Sequence, residues 1–525
     1  MRLLMLAASL ALAPSAAFPW EMDQFLVLLG WPTEVQCPDD EALARVMSHA
    51  GINTVMWDLR RLELCRKYGL RLAVPHGAAV TEDLDDPAVW GYHILHEPDE
   101  RQFPFCAEVV AKLHQADPGR PAHVSVRADG GDLLRRFLEV VRPRILSYAH
   151  YQWWWGQQAR HFPLLEDHRH ASLDAGIPLV RWVEVNAAEG DSGGSSPLPQ
   201  DNAVKLRQSV YTSLPYGIKG VEWFTAEKLF RHAAAELRPC GEDVAALNAE
   251  LKRLGPVLVR LRSRDVFHTA PVPAACRPVP GGLGVATDTP DLVIGILEHP
   301  DDGRSDYLLV ANKSIRESRH VRLRFGRRPS GARRLSKRSG RWAPLRVRRA
   351  DEAGVLELSL APGDGELLRV RPRTITLKPS TRPGERIADA PPLVLDDEPP
   401  LLLDDGPQRP GQEMADNSRC HHCHLNYVQE QLAVVHARAN MGCAHCHGAS
   451  DEHIADESWA SGGNGTAPDT MYRREQVNPF CLSCHAKDTL PEPEHGAFLA
   501  GAADKRHCTD CHGEHRLAVR RCKWK

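Results

Sequence analysis

Short apolar runs recur through the first half of the chain, and stretches with helical spacing separate them. The runs Phe25–Gly30, Ile52–Trp57, Leu70–Pro75, Trp90–Leu95, Pro121–Val126, Ile145–Ala149, Pro178–Val183 and Lys219–Trp223 read as strands. Helical patterns fall at Asp40–His49, Pro104–His114, Gly131–Val141 and Asp201–Tyr211. Eight β-units with intervening helices fit a (β/α)8 TIM barrel over residues 18–262, whose chemistry collects at the C-terminal ends of the strands. A doubly wound sheet is the competing arrangement, but no Gly-x-Gly-x-x-Gly turn accompanies these strands.

The pattern changes twice further on. In 263–375 the segments "DLVIGILEHP", "YLLVANKS", "HVRLRFG", "LELSLAP" and "ELLRVRP" end in turn residues, which predicts a small antiparallel β-sandwich. Residues 376–416 are rich in proline and aspartate and read as a linker. A basic run from Arg327 to Arg349 is expected to be a solvated face, with docking onto that acidic linker or an anionic glycan as alternatives. Residues 417–525 are poor in strand patterns and dense in His and Cys, which points to an irregular or helical module.

That density has a specific form. Eight of the fourteen cysteines fall in four Cys-x-x-Cys-His pentapeptides: Cys420 and Cys423 before His424, Cys443 and Cys446 before His447, Cys481 and Cys484 before His485, Cys508 and Cys511 before His512. Two thiols at this spacing match the two vinyl groups of a porphyrin, and the following histidine supplies an axial ligand. Four covalently attached haem c groups are therefore expected. The module resembles small multihaem cytochromes, in which neighbouring segments offer distal histidines, often several residues upstream of a motif or just after "CHG". That resemblance implies His436, His453, His495 and His515 as distal ligands, an irregular-to-helical multihaem cytochrome c fold, and electron transfer with redox partner proteins or an external donor or acceptor. His421, His422, His445 and His507 rank second, and Met441 offers a sulfur alternative. So many haems in so short a segment leave little room for an ordinary apolar core.

The N-terminus fits the same setting. Arg2, the apolar run Leu3–Ala13 and the small residues Ser15, Ala16 and Ala17 read as a secretory signal peptide over 1–17. An exported protein, periplasmic or extracellular, is expected, with no integral membrane segment. A net charge of -3 gives no reason to expect nucleic acid. Six cysteines outside the motifs, Cys37, Cys65, Cys106, Cys240, Cys276 and Cys522, have no partner assignable from spacing.

In the barrel, strand four ends in "GYHILHEPDE" and strand seven in "PLVRWVEVN". This resembles the barrel glycoside hydrolases that carry acidic residues after strands four and seven. The resemblance implies Glu97 as acid/base and Glu184 as nucleophile or base, with a carbohydrate as ligand. Asp99 and Glu100 are nearby substitutes. Where the largest clan of these enzymes has Asn before the acid, this chain has His96. Strand eight, "KGVEWFTAE", offers Trp223 as a sugar-stacking ring and Glu222 as an alternative carboxylate, turned away if Trp223 points inward. The loop "SYAHYQWWWGQQ" offers His150, Tyr151, Trp153, Trp154 and Trp155, one or two of which would stack on a sugar. Asp58, His76 and Asn186 would add polar contacts. The closing "LSLAPGDGELLRV" resembles the accessory β-domain that follows many such barrels. Three activities stay open for the barrel: glycoside hydrolysis, glycan binding without hydrolysis, and sugar oxidation passing electrons to the haems.

Overall fold

The computed structural model describes residues 20–32, 37, 39–75, 86–128, 130–154, 156–185, 202–231, 235–350, 353–377 and 415–515, the last interrupted at 422–423, 425–426, 428–429, 456–464, 492–494, 497, 499–505 and 514. The expected signal peptide, nearly all of the linker and Cys522 lie outside the described residues. The chain divides into two compact units, one holding the barrel and sandwich and the other the C-terminal segment.

Eight parallel strands close a barrel in sequence order: β1 (Leu26–Leu29), β2 (Thr54–Met56), β3 (Arg71–Pro75), β4 (Val89–His96), β5 (Ala122–Arg127), β6 (Leu146–Ala149), β7 (Leu179–Glu184) and β8 (Gly220–Phe224). Each lies within one of the eight apolar runs or differs from it by a residue or so. Closure sets Leu26 opposite Gly220 and Leu28 opposite Glu222. A Cβ on Gly220 would come within 2.4 Å of Leu26 Cβ, so the closing register needs glycine there.

The outer layer comprises α1 (Asp40–His49), α2 (Leu62–Tyr68), α3 (Phe103–Ala116), α4 (Gly131–Val141), α5 (Gln158–Ala175), α6 (Asn202–Tyr211), the single turn α7 (Ala226–Leu229) and α8 (Pro239–Leu258). Asp39 caps α1 by accepting from the Ala42 N–H at 2.9 Å, and Leu43, Ala44 and Met47 form its buried face. The sequence pattern does not announce α5, because its buried face includes His161, His168, Arg169 and Ser172 beside its apolar residues. A polar inner face erases the periodicity by which helices are recognised.

A short hairpin, β9 (Phe230–Arg231) with β10 (Glu236–Leu237), precedes α8. The sandwich follows it. Its larger sheet runs β11 (Arg262–His268), β13 (Leu292–Glu298), β14 (Asp306–Asn312), β20 (Gly365–Arg371), β16 (Gly331–Leu335), β17 (Trp342–Leu345). The smaller runs β12 (Val285–Ala286), β15 (Arg319–Phe325), β19 (Ala353–Leu360), β18 (Val347–Ala350). Ile294, Ile296, Leu308 and Val310 of one sheet share a core with Val321, Leu323, Phe325 and Leu356 of the other. Along β15, Arg322 and Arg324 face out while Val321, Leu323 and Phe325 face in, the alternation of a half-buried strand. β14 instead is buried throughout and β13 nearly so, because their second face meets the barrel. Gly295 lies against Pro215, and the Tyr216 hydroxyl and His268 Nε2 are 2.8 Å apart. Charges in the basic run are partly paired within the sandwich, Lys337 with Asp364 and Arg348 with Glu357.

The C-terminal unit is helical and thin. Its longer helices are Gln431–Arg438 and Arg474–Cys484, with short turns at Ser418–His421, Cys443–His447, Asp451–Ala455, Lys487–Thr489 and Cys508–Asp510. Among its described residues, Ala437 and Ala467 are the buried hydrophobics. That is far too little to hold a segment of this length together.

A Cβ at position 295 would sit 2.5 Å from the Pro215 carbonyl oxygen, whereas one at Gly303 meets nothing within 4 Å. Gly295→Ala is therefore expected to lower the urea stability of the barrel–sandwich unit by about 1–3 kcal/mol, with Gly303→Ala close to wild type.

Candidate functional site

Alternation along β7 turns Val180, Trp182 and Glu184 into the barrel, and Arg181 outward onto His161 of α5 at 3.2 Å. On β8 the inward positions are Glu222 and Phe224. The upper end of the interior is consequently aromatic. Trp31 stacks on Trp182 with ring centroids 5.2 Å apart, and the His96 ring meets both edge-on at 5.0 Å. Phe224 stacks on Tyr151 at 5.1 Å, and Tyr151 contacts Trp154 at 5.4 Å.

Two carboxylates stand at the strand ends named by the sequence. Glu184, the last residue of β7, is fully buried. Its Oε1 accepts the Trp153 backbone N–H at 2.7 Å, while Oε2 has no hydrogen-bond partner. Burial pushes this carboxyl up to about 7, against the opposing pull of the Trp153 N–H. Glu97, directly after β4, is half-buried and adopts a left-handed backbone with φ of 52°. Its N–H donates to the Ser125 carbonyl at 2.6 Å. Non-glycine residues in that region cost free energy and concentrate where structure serves function.

Glu222 lies deeper, one inward position below Phe224. Its Oε1 is 2.6 Å from His123 Nε2, and the Ser147 hydroxyl donates to its other oxygen. His123 Nδ1 in turn lies 3.1 Å from His93 Nδ1. Four strands thus contribute to one buried polar chain inside the barrel, where an unpaired carboxylate would be prohibitively costly.

Several expected contacts are placed differently. Trp223 points outward, fully buried, with its indole N–H donating to Asn248 of α8 at 3.0 Å. Glu222 therefore takes the inward position and Trp223 the outer one, the reverse of the expected parity. Asp58 caps the turn Leu59–Arg61 and pairs with Arg60, so its carboxylate is engaged locally. Asp99 caps Glu100–Gln102, and Glu100 pairs with Arg136 of α4 at 2.5 Å. Trp153 turns toward α6, donating to Ser209 at 3.0 Å beneath the Lys205 ammonium. His150 lies outside the strands, stacked on His161 at 6.3 Å. His76, Trp155 and Asn186 lie outside the described residues. Sequence reasoning passed over Trp31, Trp182, Phe224, His93, His123 and Ser147. Trp182 was within reach, since it shares strand parity with Glu184. A cleft of about 450 Å³ on the sandwich, lined in part by Tyr307, Trp342, Arg369 and Arg371, was also unforeseen.

In the C-terminal unit each motif histidine faces one other imidazole. Ring centroids are 5.9 Å apart for His424 and His453, 6.1 Å for His447 and His515, 6.0 Å for His485 and His436, and 5.9 Å for His512 and His495. The Nδ1–H groups of His436, His447, His453 and His495 donate to the carbonyls of Leu432, Thr470, Thr466 and Pro491 at 2.7–3.0 Å. His515 Nδ1 bonds Glu430 Oε2 at 2.9 Å. A carbonyl can only accept, so the proton resides on Nδ1 and Nε2 carries the lone pair. His445 and His507 differ. His445 Nδ1 accepts from the Gly442 N–H, and His507 Nδ1 accepts from Arg474. The Cys443 thiol lies beside Cys420, and Cys481 beside Cys508. Cys423 and His422, and the His421 side chain, lie outside the described residues. Among the described residues Cys37, Cys65, Cys106, Cys240 and Cys276 form no disulfide, and no helix is long and apolar enough to cross a membrane.

No protein-family model and no curated protein matches the chain. Solved structures similar to it include a GH30 endoxylanase from Clostridium papyrosolvens C71, at 11% identity over 67% of this chain and 97% of that one, with a TM-score of 0.34. A GH128 endo-β-1,3-glucanase from Amycolatopsis mediterranei aligns at 14% identity over 42% of this chain and 99% of its own, TM-score 0.31. A GH30 xylanase C catalytic domain from Talaromyces cellulolyticus aligns at 9% identity over 67% and 97%, TM-score 0.33. The (β/α)8 assignment rests on the closed strand order of the chain itself.

Glu184 holds its proton to about pH 7 when folded, against an ordinary value of 4.5. Between those values unfolding releases a proton, so stability falls as pH rises and levels off above about 7. Glu184→Gln keeps an acceptor for the Trp153 N–H and removes this loss. The variant is expected to gain on wild type by on the order of 3 kcal/mol between pH 4.5 and 7.5, read from urea unfolding at each pH.

Proposed function

We propose that the C-terminal unit is a four-haem electron carrier, and the observation that supports this best is the spacing of its facing histidines. A metal–imidazole bond is about 2 Å long, so imidazoles on opposite faces of one iron hold their ring centroids about 6 Å apart. Four pairs meet that spacing at 5.9–6.1 Å, one for each Cys-x-x-Cys-His motif. Their Nδ1 hydrogen bonds present Nε2 for ligation, as second-sphere acceptors do at metal-bound histidines. The scarcity of buried apolar residues fits as well, since flat apolar groups between the rings would supply the missing core. When bound, haem iron cycles between two oxidation states and carries one electron. Two strong ligands on each iron leave this chain's residues to hold and orient rather than to admit a substrate. The leader supports export, the compartment in which such attachment takes place.

The barrel is read as a carbohydrate-handling domain, on the placement of Glu97 and Glu184 at the ends of β4 and β7, where the barrel interior is aromatic. The raised pKa of Glu184 favours it as the group holding a proton, which inverts the division implied by family resemblance. A second reading, glycan binding without hydrolysis, is favoured by the complete burial of Glu184 and its engagement with the Trp153 N–H.

Pyridine haemochrome absorbance of the mature protein is expected to give four haems per chain, and any other count contradicts the carrier reading. For the barrel, reducing-end release from a panel of β-glucans and xylans separates the two possibilities. Loss of about 10²-fold or more in both Glu97→Gln and Glu184→Gln supports hydrolysis. Undetectable release by wild type and both variants, with oligosaccharide binding retained in calorimetry, supports the binding reading.

A further inference from the structure

The C-terminal unit is built as two similar halves. Asn417 stands three residues before Cys420, and its side-chain oxygen accepts the Cys443 N–H at 2.7 Å. Asn478 stands three residues before Cys481, and its side-chain oxygen accepts the Cys508 N–H at 2.9 Å. Gly448 and Gly513 follow the second motif of each half with φ of 78° and 72°. Between its motifs each half holds His436 or His495, the second half adding His507 directly before Cys508, and after them each holds one more, His453 or His515.

If both halves were self-contained, equivalent positions would pair equivalently. His424 faces His453 inside the first half, so His485 would face His515. His512 faces His495 inside the second, so His447 would face His436. Neither of these expected partners is found. His447 faces His515 and His485 faces His436, so the two remaining ligands are exchanged between halves.

One carboxylate organises the exchange. Glu430 caps the helix Gln431–Arg438 by accepting the N–H groups of Leu432 and Ala433 at 3.1 and 2.9 Å, and that helix carries His436. The same carboxylate accepts from His515 Nδ1, and the Tyr427 ring stacks on His515 at 4.5 Å. A Cβ on Gly513 would overlap Glu430 Oε1, so the second half approaches Glu430 too closely for a side chain there.

We propose that the axial pairs are His424–His453, His447–His515, His485–His436 and His512–His495, so that the second and third haem sites each take one ligand from each half and lock the halves together. This rests on the four-haem reading and adds to it which histidine serves which site. Glu430 is a positioning residue for both exchanged ligands. The geometry also marks one site apart. The rings of His485 and His436 stand at 85°, whereas the other three pairs lie within 11–19° of parallel. Perpendicular imidazole planes leave two iron d orbitals nearly degenerate and give a low-spin EPR signal at larger g than parallel planes do.

The test uses the full haem-loaded chain, with haemochrome counting beside EPR spin quantitation. Wild type is expected to show four haems, all low-spin, one of them with the large-g signal. A haem count other than four would fail the carrier reading itself, separately from the pairing. His515→Ala should convert one haem of the four to high spin. Replacing Cys443 and Cys446 by Ala should leave three haems, all low-spin, and adding His515→Ala to that background should change nothing. One high-spin haem in the combined variant would show that His515 serves another site and would overturn the pairing. Independently, His436→Ala should abolish the large-g signal and spare the other three; loss of a parallel-type signal instead would overturn the assignment of His436 to His485. Glu430→Gln, which keeps the shape but weakens the hold on His515, should alter the signals of the second and third sites and leave the outer two unchanged.

Discussion

Removal of apolar surface from water holds the first unit together, and its scarcity defines the second. In the barrel, strands covered on both faces build an interior of Leu26, Leu28, Met56, Val180 and Trp182. The sandwich repeats the logic with one core shared by two sheets, and β13 and β14 are buried on their second face by the barrel. At about 25 cal/mol per Å² this is ample to order a domain. The C-terminal unit has no equivalent among its described residues. Its order rests on helix caps, side-chain amides gripping the next motif, and imidazoles facing one another across a constant gap. Under the four-haem reading, ligand binding and folding there are one process.

Polar burial in the barrel follows a related rule. Glu222, His123, Ser147 and His93 are tolerated inside because they satisfy one another. Glu184 is different: one of its oxygens is satisfied and the other is not, and burial holds its carboxyl toward the neutral form. A buried acid kept protonated near neutrality is a reservoir of chemical potential in a way that a fully paired carboxylate is not. Glu97, at the end of β4, departs from ordinary backbone geometry at the very point where the strand gives way to the rim.

The two units invite different chemistries. Under the proposed readings, the barrel carboxylates would move protons and the imidazole-ligated iron would move electrons. Cleaving a glycosidic bond needs no electron, so neither unit requires the other for its step. Under those readings, what the fusion would provide is shared location.

The eight strands were legible because each is a local apolar run bounded by polar residues, and local runs survive any tertiary arrangement. α5 was not, since His161, His168, Arg169 and Ser172 on its inner face break the apolar periodicity. The inversion of Glu222 and Trp223 was not legible either. Strand parity says only that neighbours point oppositely, and which one faces inward depends on whether Asn248 of α8 or the barrel interior receives it. The Cys-x-x-Cys-His motifs lie at the other extreme, because each is a five-residue pattern written entirely in local sequence. The opposing histidines could be shortlisted by proximity to a motif, but not matched. Each pair closes a loop whose ends meet only after the chain has folded, and the exchange of His436 and His515 depends on where Glu430 stands when both halves are in place. Sequence determined the strands and the four Cys-x-x-Cys-His motifs through short-range spacing. Tertiary structure alone decided the inward carboxylate and the partners of the four motif histidines, because those are contacts between segments that the chain brings together from far apart.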